Sequence, residues 1–351
     1  MKVLKRLLLL MSIFVLSTMF FIYQTTNVRI LCLERNPAKV SVFLSDFNDD
    51  LISEIRKNLE EIQKKNSDKV EYNFYDGKLN QKNQNEEIAK VLEEGTDLIL
   101  LNIVDRAYSK AVIDKIKANN VPVILFNREP LTSVPIQSYG RAIYIGTDPV
   151  QAGILQGEML IDLWNSSKKI IDRNNDGILQ YYMLEGEGDN TEATERTKYV
   201  ISTIEKSGIK TQQVGVDFAD WSEKDAYKYT KEVFGKYSSD IDVIIANDDS
   251  MAIGAVKALQ EYGYNKGEKS KTIPIVGVDV IPKAKEFIEK GYMLGSVYQD
   301  PKDYAEALYE VGMNLINYKN PVADTKYTLD DTKVSIRIPH TNYFYNNIFA
   351  K

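Results

Sequence analysis

Residues 172–180 read Asp-Arg-Asn-Asn-Asp-Gly-Ile-Leu-Gln, placing oxygen-bearing side chains at alternate positions ahead of a glycine. Ca²⁺ is a hard cation held by six to eight oxygens, and an EF-hand-type loop supplies them from its positions 1, 3, 5, 7 and 9, with glycine at 6. Asp172, Asn174, Asp176, the Ile178 carbonyl and Gln180 fill those places in order around Gly177. Position 12 calls for a bidentate Glu, but Met183 stands there, inside an apolar run that reads as a buried strand. A remote acid must therefore close the site. The competing reading is a polar turn that binds nothing, because Asn, Asp and Gly favour turns through local hydrogen bonds.

A second set of chemically capable residues lies at the ends of apolar runs: Asn102 after 98–101, Asp248 after 243–247 and Asp279 after 276–278. In open parallel sheets a ligand lies beyond the carboxyl ends of the strands, so these residues together point to a polar ligand. Singly, each could equally be a helix N-cap. One Cys and one His leave no zinc cluster, no disulfide and little room for a His-dependent triad. The single histidine, His340, is assigned no catalytic task.

Short β-branched runs alternating with amphipathic stretches must position these residues, and that alternation is the pattern of an α/β fold with parallel sheets. Strands are expected at 40–44, 70–75, 98–102 and 123–127, and a second series at 142–146, 179–184, 213–216, 243–247, 275–279 and 293–298. The first helix carries Leu51, Ile55, Leu59 and Ile62 on one face. Two doubly wound lobes follow, with no low-complexity linker between them. At 351 residues and 44% hydrophobic content the chain can bury two such cores. A net charge of -6 offers no basic footprint for nucleic acid.

Lys2, Lys5 and Arg6 precede an apolar run at 7–23, the order of a secretory signal. Export is expected. Residues 24–29 offer no A-x-A-like cleavage site, so an uncleaved anchor is the alternative to a removed signal. Cys32 invites lipidation, but Arg29, Ile30 and Leu31 before it are not the small residues such a site wants.

Asn102-Ile103-Val104-Asp105, Phe126-Asn127-Arg128-Glu129-Pro130, Tyr144-Ile145-Gly146-Thr147-Asp148, the loop at 172, Glu195-Arg196-Thr197, Asn247-Asp248-Asp249 and Val276-Gly277-Val278-Asp279 occur in an informative order. The chain resembles the bacterial galactose/glucose-binding proteins, the type I substrate-binding components of ABC sugar importers, from about residue 39 to 339. The resemblance implies a neutral hexose held between lobes. Asp49 and Asn102 match first-lobe sugar contacts; Arg196, Trp221 and Asp279 match second-lobe contacts; Asp242 matches the remote acid of a structural Ca²⁺ site, where the family has Glu. Departures cluster at the ligand: Leu51 replaces a stacking aromatic, Asn190 a histidine, Glu192 an aspartate, and Asp248 and Gln299 asparagines.

Ionised Asp49 and Asp279 would accept from sugar hydroxyls, Arg196 would donate, and Trp221 would cover a C–H face. The alternatives are an ion pair of Arg196 with Glu192, and plain packing of Trp221. The resemblance further implies closure about three crossings, matched to 120–123, 299–301 and 336–339, hence lobes of 37–121 plus 300–335 and 122–299 plus 336–351 after a leader of 1–36. The expected function is a monomeric ABC-importer receptor that passes sugar to a permease. A membrane-anchored sensor subunit serving a kinase or chemoreceptor is the second class, and a glycosidase using Asp49 and Asp279 the third.

Overall fold

The structure is a computed structural model that describes residues 11, 13–19 and 36–344. Cys32, residues 24–31 and the ends of the apolar segment at 7–23 lie outside them, as do residues 345–351. Residues 11 and 13–19 are helical, and no helix among the described residues is long and apolar enough to cross a membrane.

Two six-stranded sheets organise the rest, in the orders β11-β5-β4-β3-β1-β2 and β12-β10-β9-β8-β6-β7. In the first sheet β1 (Ala38–Leu44) lies between β2 (Val70–Asp76) and β3 (Leu98–Leu101), followed outward by β4 (Val123–Phe126), β5 (Ala142–Thr147) and β11 (Ser335–Ile338). The second sheet holds β6 (Ile178–Glu185), β7 (Lys210–Phe218), β8 (Val243–Ala246), β9 (Ile275–Asp279), β10 (Gly295–Tyr298) and β12 (Thr341–Phe344). All neighbours are parallel except β12, which runs antiparallel to β10. The central strands are buried at every residue, as β3, β4 and β8 illustrate. That is why they read as continuous apolar runs rather than alternating ones.

The helices cover both faces of each sheet. Asp50–Lys65 buries Leu51, Ile52, Ile55 and Leu59 against the first core, with Ile62 packed at its margin. In the second lobe Pro149–Ile171 lies against Thr191–Lys206 at unusually close range. A Cβ on Gly153 would stand 2.6 Å from the Arg196 carbonyl oxygen, and one on Gly157 3.0 Å from that of Val200. Only glycine allows this approach, and the approach fixes the helix that carries Arg196.

The lobe boundaries differ from the expected ones. β4 and β5 pair with each other in the first sheet, so the chain first crosses after Thr147, where Asp148 caps the helix Pro149–Ile171 by accepting from Val150 N at 2.9 Å. Residues 120–123 are instead the turn that leads into β4 within the first lobe. The last crossing follows all of β11, whose Ser335–Ile338 pairs with β5, and takes the chain through Pro339 and His340 to β12. Residues 299–301 connect β10 to the first-lobe helix Pro301–Ile316. The physical reason is that strand character is local, whereas membership of one sheet or the other is decided by pairing partners far away in the chain.

Candidate functional site

The carboxyl ends of both sheets face one cleft of about 940 Å³. Asp49, Leu51, Asn190, Glu192, Arg196, Trp221, Asp248, Asp279 and Gln299 all line it. On the first-lobe wall, Asp49 caps the helix Asp50–Lys65, one oxygen accepting from Ile52 N at 2.9 Å. Asn190 and Asp248 do the same across the cleft, for the helices Thr191–Lys206 and Asp249–Glu261, accepting from Glu192 N and Met251 N at 2.9 Å each. Capping and lining are therefore one arrangement: at Asp49 and Asp248 the cap uses one oxygen and leaves the other free, while the Asn190 Nδ2 donates to Glu187 at 3.1 Å.

Arg196 is buried, donating to the Asn247 carbonyl at 2.8 Å, and its guanidinium lies 3.7 Å from Glu192 and 5.9 Å from the Trp221 ring centre. Both the ion pair and a cleft-lining role are realised. Trp221 lies against the Gly186 backbone, where a Cβ would come within 2.2 Å of the indole, and both Asp220 and Trp221 adopt left-handed backbone conformations. The indole is thus partly a packing residue and still lines the cleft. Asp279 has a φ of 119° and accepts from Gln299, whose Oε1 takes the Thr147 hydroxyl at 2.9 Å, linking two of the crossings. Burial foremost raises the pKa of Asp49, Glu192, Asp248 and Asp279, with Arg196 opposing the rise at the last three.

Asn102 is the exception. It is fully buried and does not line the cleft: its Oδ1 accepts from Ser45 N at 3.0 Å, and its Nδ2 donates to the Phe126 carbonyl at 3.2 Å and Asn127 Oδ1 at 3.1 Å. Its expected sugar contact is replaced by a supporting one, since Ser45 and Asn127 reach the cleft.

Several residues escaped the sequence reading. Asp249 accepts from the Ser296 hydroxyl at 2.6 Å and from Ile281 N at 3.0 Å, so a buried carboxylate sets the left-handed turn at Asp279-Val280. Asn247 receives Gly186 N at 3.1 Å and donates to Thr197 at 3.1 Å. Across the rim, Arg128 pairs with Glu187 at 2.9 Å, Ser250 donates to Asp50 at 2.8 Å, and Arg106 reaches Asp189 and Thr191. These contacts join the two lobes over the cleft. Arg128 stood in a recognised motif, but no local pattern pairs it with Glu187.

The loop at 172–180 turns through left-handed Asn175 and Gly177, with φ of 58° and 79°. Asp172 accepts from Asp176 N and Gly177 N at 3.0 Å each, and Asp242 accepts from Gln180 N at 2.9 Å and Arg173 N at 3.1 Å. Asp242, just before β8, thus ties the two ends of the loop together through hydrogen bonds. Gln180 Oε1 is buried without a donor. Burial, opposed by the two backbone hydrogen bonds, pushes the Asp242 carboxyl up to about 6. Among the described residues no three His, Cys, Asp or Glu side chains converge as a ready metal cluster; the oxygens here are a mixture of carboxylate, amide and carbonyl.

Residues 40–320 match the family described as periplasmic binding protein domain. The chain belongs to this family. Within it, the chain is 32% identical over 311 residues to the D-galactose/methyl-galactoside binding periplasmic protein of Haemophilus influenzae, covering 88% of this chain and 90% of that one. It is 24% identical over 250 residues to the D-xylose-binding periplasmic protein of Escherichia coli, covering 70% and 68%. Among solved structures, an ABC transporter solute-binding protein of Bacillus halodurans with bound myo-inositol superposes with a TM-score of 0.72 at 20% identity, covering 89% of this chain and 96% of that one. One from Actinobacillus succinogenes with bound D-allose gives 0.72 at 18%, covering 89% and 99%. These establish the type I fold of two lobes joined by three crossings. As a periplasmic binding protein the chain is a substrate-binding protein rather than an enzyme.

Proposed function

We propose that this receptor binds one hexose-sized sugar between its lobes and delivers it to an ABC permease. The observation that carries the reading is the convergence on one cleft of Asp49 from the first lobe with Arg196, Trp221, Asp248 and Asp279 from the second. Hydroxyls both donate and accept, so a wall of carboxylate acceptors with one guanidinium donor and an indole plane suits a polyol ring. The 32% identical relative is named for D-galactose and methyl-galactoside, which supports a hexose over a pentose. A ligand touching both walls stabilises the closed state through those differential contacts alone. Titration with hexoses and pentoses, followed by tryptophan fluorescence, tests this. A saturable change with hexoses that is much weakened in Trp221→Ala is expected, and a wild-type protein indifferent to every sugar overturns the reading.

The loop at 172–180 we assign to structural Ca²⁺. Its hard oxygen donors, its turn through Gly177 and the donorless Gln180 Oε1 fit that ion. Asp172, Asn174, Asp176, the Ile178 carbonyl, Gln180 and Asp242 would hold it, tying together the end of the helix Pro149–Ile171 and the starts of β6 and β8. Ca²⁺ supplies cross-linking charge there and no reaction chemistry. A chelator should lower the melting temperature of the wild type and leave that of Asp176→Ala unmoved; a wild type insensitive to chelator makes the loop an ordinary turn.

A further inference from the structure

The charges of the cleft do not balance around a neutral sugar. Arg128 is taken by Glu187, so Asp49, Glu192, Asp248 and Asp279 outnumber the guanidinia left near them, Arg196 in the cleft and Arg106 beside Glu192. Arg196 in turn spends one nitrogen on the Asn247 carbonyl. Each carboxylate keeps acceptor capacity that no described protein donor fills. Asp49 and Asp248 use one oxygen each on a cap N–H, Asp279 uses one on Gln299, and Glu192 has only the 3.7 Å approach of Arg196. Asp248 and Asp279 are 7% and 9% exposed, so little of either side chain meets solvent outside the cleft. Asp249 adds a further carboxylate directly behind them.

Closing the lobes on a neutral ring would wall this excess charge away from water, which is costly unless a cation or protons arrive with the ligand. Hydroxyls bring neither. A primary ammonium brings a full charge and three N–H donors, and hydrogen bonds between ionised partners are the strong ones.

We propose that the preferred ligand is an amino sugar, a hexose-sized ring carrying one free primary amine seated against Asp248. Asp248 is the shared neighbour of the cluster, within electrostatic reach of Asp49 on the opposite lobe and of Asp249 and Arg196 on its own, and Asp279 feels Asp248 in turn. Its free oxygen faces the cleft while the other caps a helix. Burial foremost raises the carboxyl pKa of all four residues, and neighbouring carboxylates add to the rise. The ring would lie along Trp221.

The proposal rests on the sugar-receptor reading and fails separately from it. Calorimetry at about pH 6, below the pKa of the amine, compares glucosamine and galactosamine with glucose and galactose and with the N-acetyl amino sugars, which keep the nitrogen but lose the charge. The free amines are expected to bind about tenfold or more tightly than either neutral set. Asp248→Asn preserves the cap, because Asn caps as well as Asp, and should shrink that ratio toward one or reverse it in a variant that still folds. Glucose or galactose binding as tightly as the amines overturns the proposal and leaves the receptor reading standing, as does an Asp248→Asn variant with the wild-type ratio. Failure of every sugar to bind overturns both.

Discussion

The residues of the cleft are economical because most hold two positions at once. Asp49, Asn190 and Asp248 end loops, begin helices and line the cleft, so their identity is constrained by backbone N–H groups as well as by their place on its wall. Asn102 shows the limit of inferring contact from place in the chain. It sits at a strand end, as a ligand residue should, but every atom of its amide is used within the first lobe. Asn102→Ala should therefore cost about 2–4 kcal/mol of stability, measured by denaturant unfolding, through buried groups left unpaired. A stable variant with only weakened sugar binding would mean that the side chain reaches the ligand. The carboxyls also set a pH dependence. Burial holds Asp248 and Asp279 above their ordinary value of 3.8 in the folded protein, so above that pH the folded chain retains protons that the unfolded chain has released. Stability contributed by these groups is then lost as pH rises. The ligand-free melting temperature should fall as pH rises above about 4, and Asp248→Asn should flatten that fall; a slope unchanged by the substitution would remove Asp248 from the account.

At the scale of elements, the helices were legible because a 3–4-residue stripe such as Leu51, Ile55 and Leu59 is a local signal. The loop at 172–180 was legible for the same reason: its donors are consecutive. Its closure by Asp242 needed either a relative's pattern or the fold, because 62 residues separate Asp242 from Gln180. The close helix pair of the second lobe was not legible at all, since nothing in Gly153 or Gly157 announces which helix it faces. Gly153→Ala would force a methyl group toward the Arg196 carbonyl. Overpacking of this kind costs about 1–3 kcal/mol, and here it should also weaken sugar affinity, because the displaced helix carries Arg196. Calorimetry and thermal melting together check this: lowered stability with unaltered affinity would separate the helix pair from the site.

For the whole molecule, the function is the relative placement of two lobes. Arg337 anchors the last crossing to the first lobe with a two-pronged pair to Glu129, at 2.7 Å for each nitrogen, and a bond to the Thr147 carbonyl at 3.1 Å. Thr147 and Gln299 join the other two crossings. Opposite this hinge, Arg128 and Glu187 bridge the rim and are only partly exposed. Arg128→Met should release sugar faster, by about 2- to 10-fold in stopped-flow fluorescence, because it loosens the closed state and leaves the ring contacts intact. An unchanged dissociation rate would assign closure to the ligand alone.

The chain by itself determined the α/β class, the tight turn at 172–180 and most of the residues that line the cleft. These depend on periodicity, capping chemistry and short spacings, which act over a turn or a strand. Only the tertiary structure decided that β4 and β5 belong to the first lobe, that Asn102 supports the cleft from behind, that Asp249 sets the turn at Asp279, and that Arg128 meets Glu187. Each of these is a pairing between segments distant in the chain, and residue types alone do not specify which of several chemically suitable partners will be brought within reach.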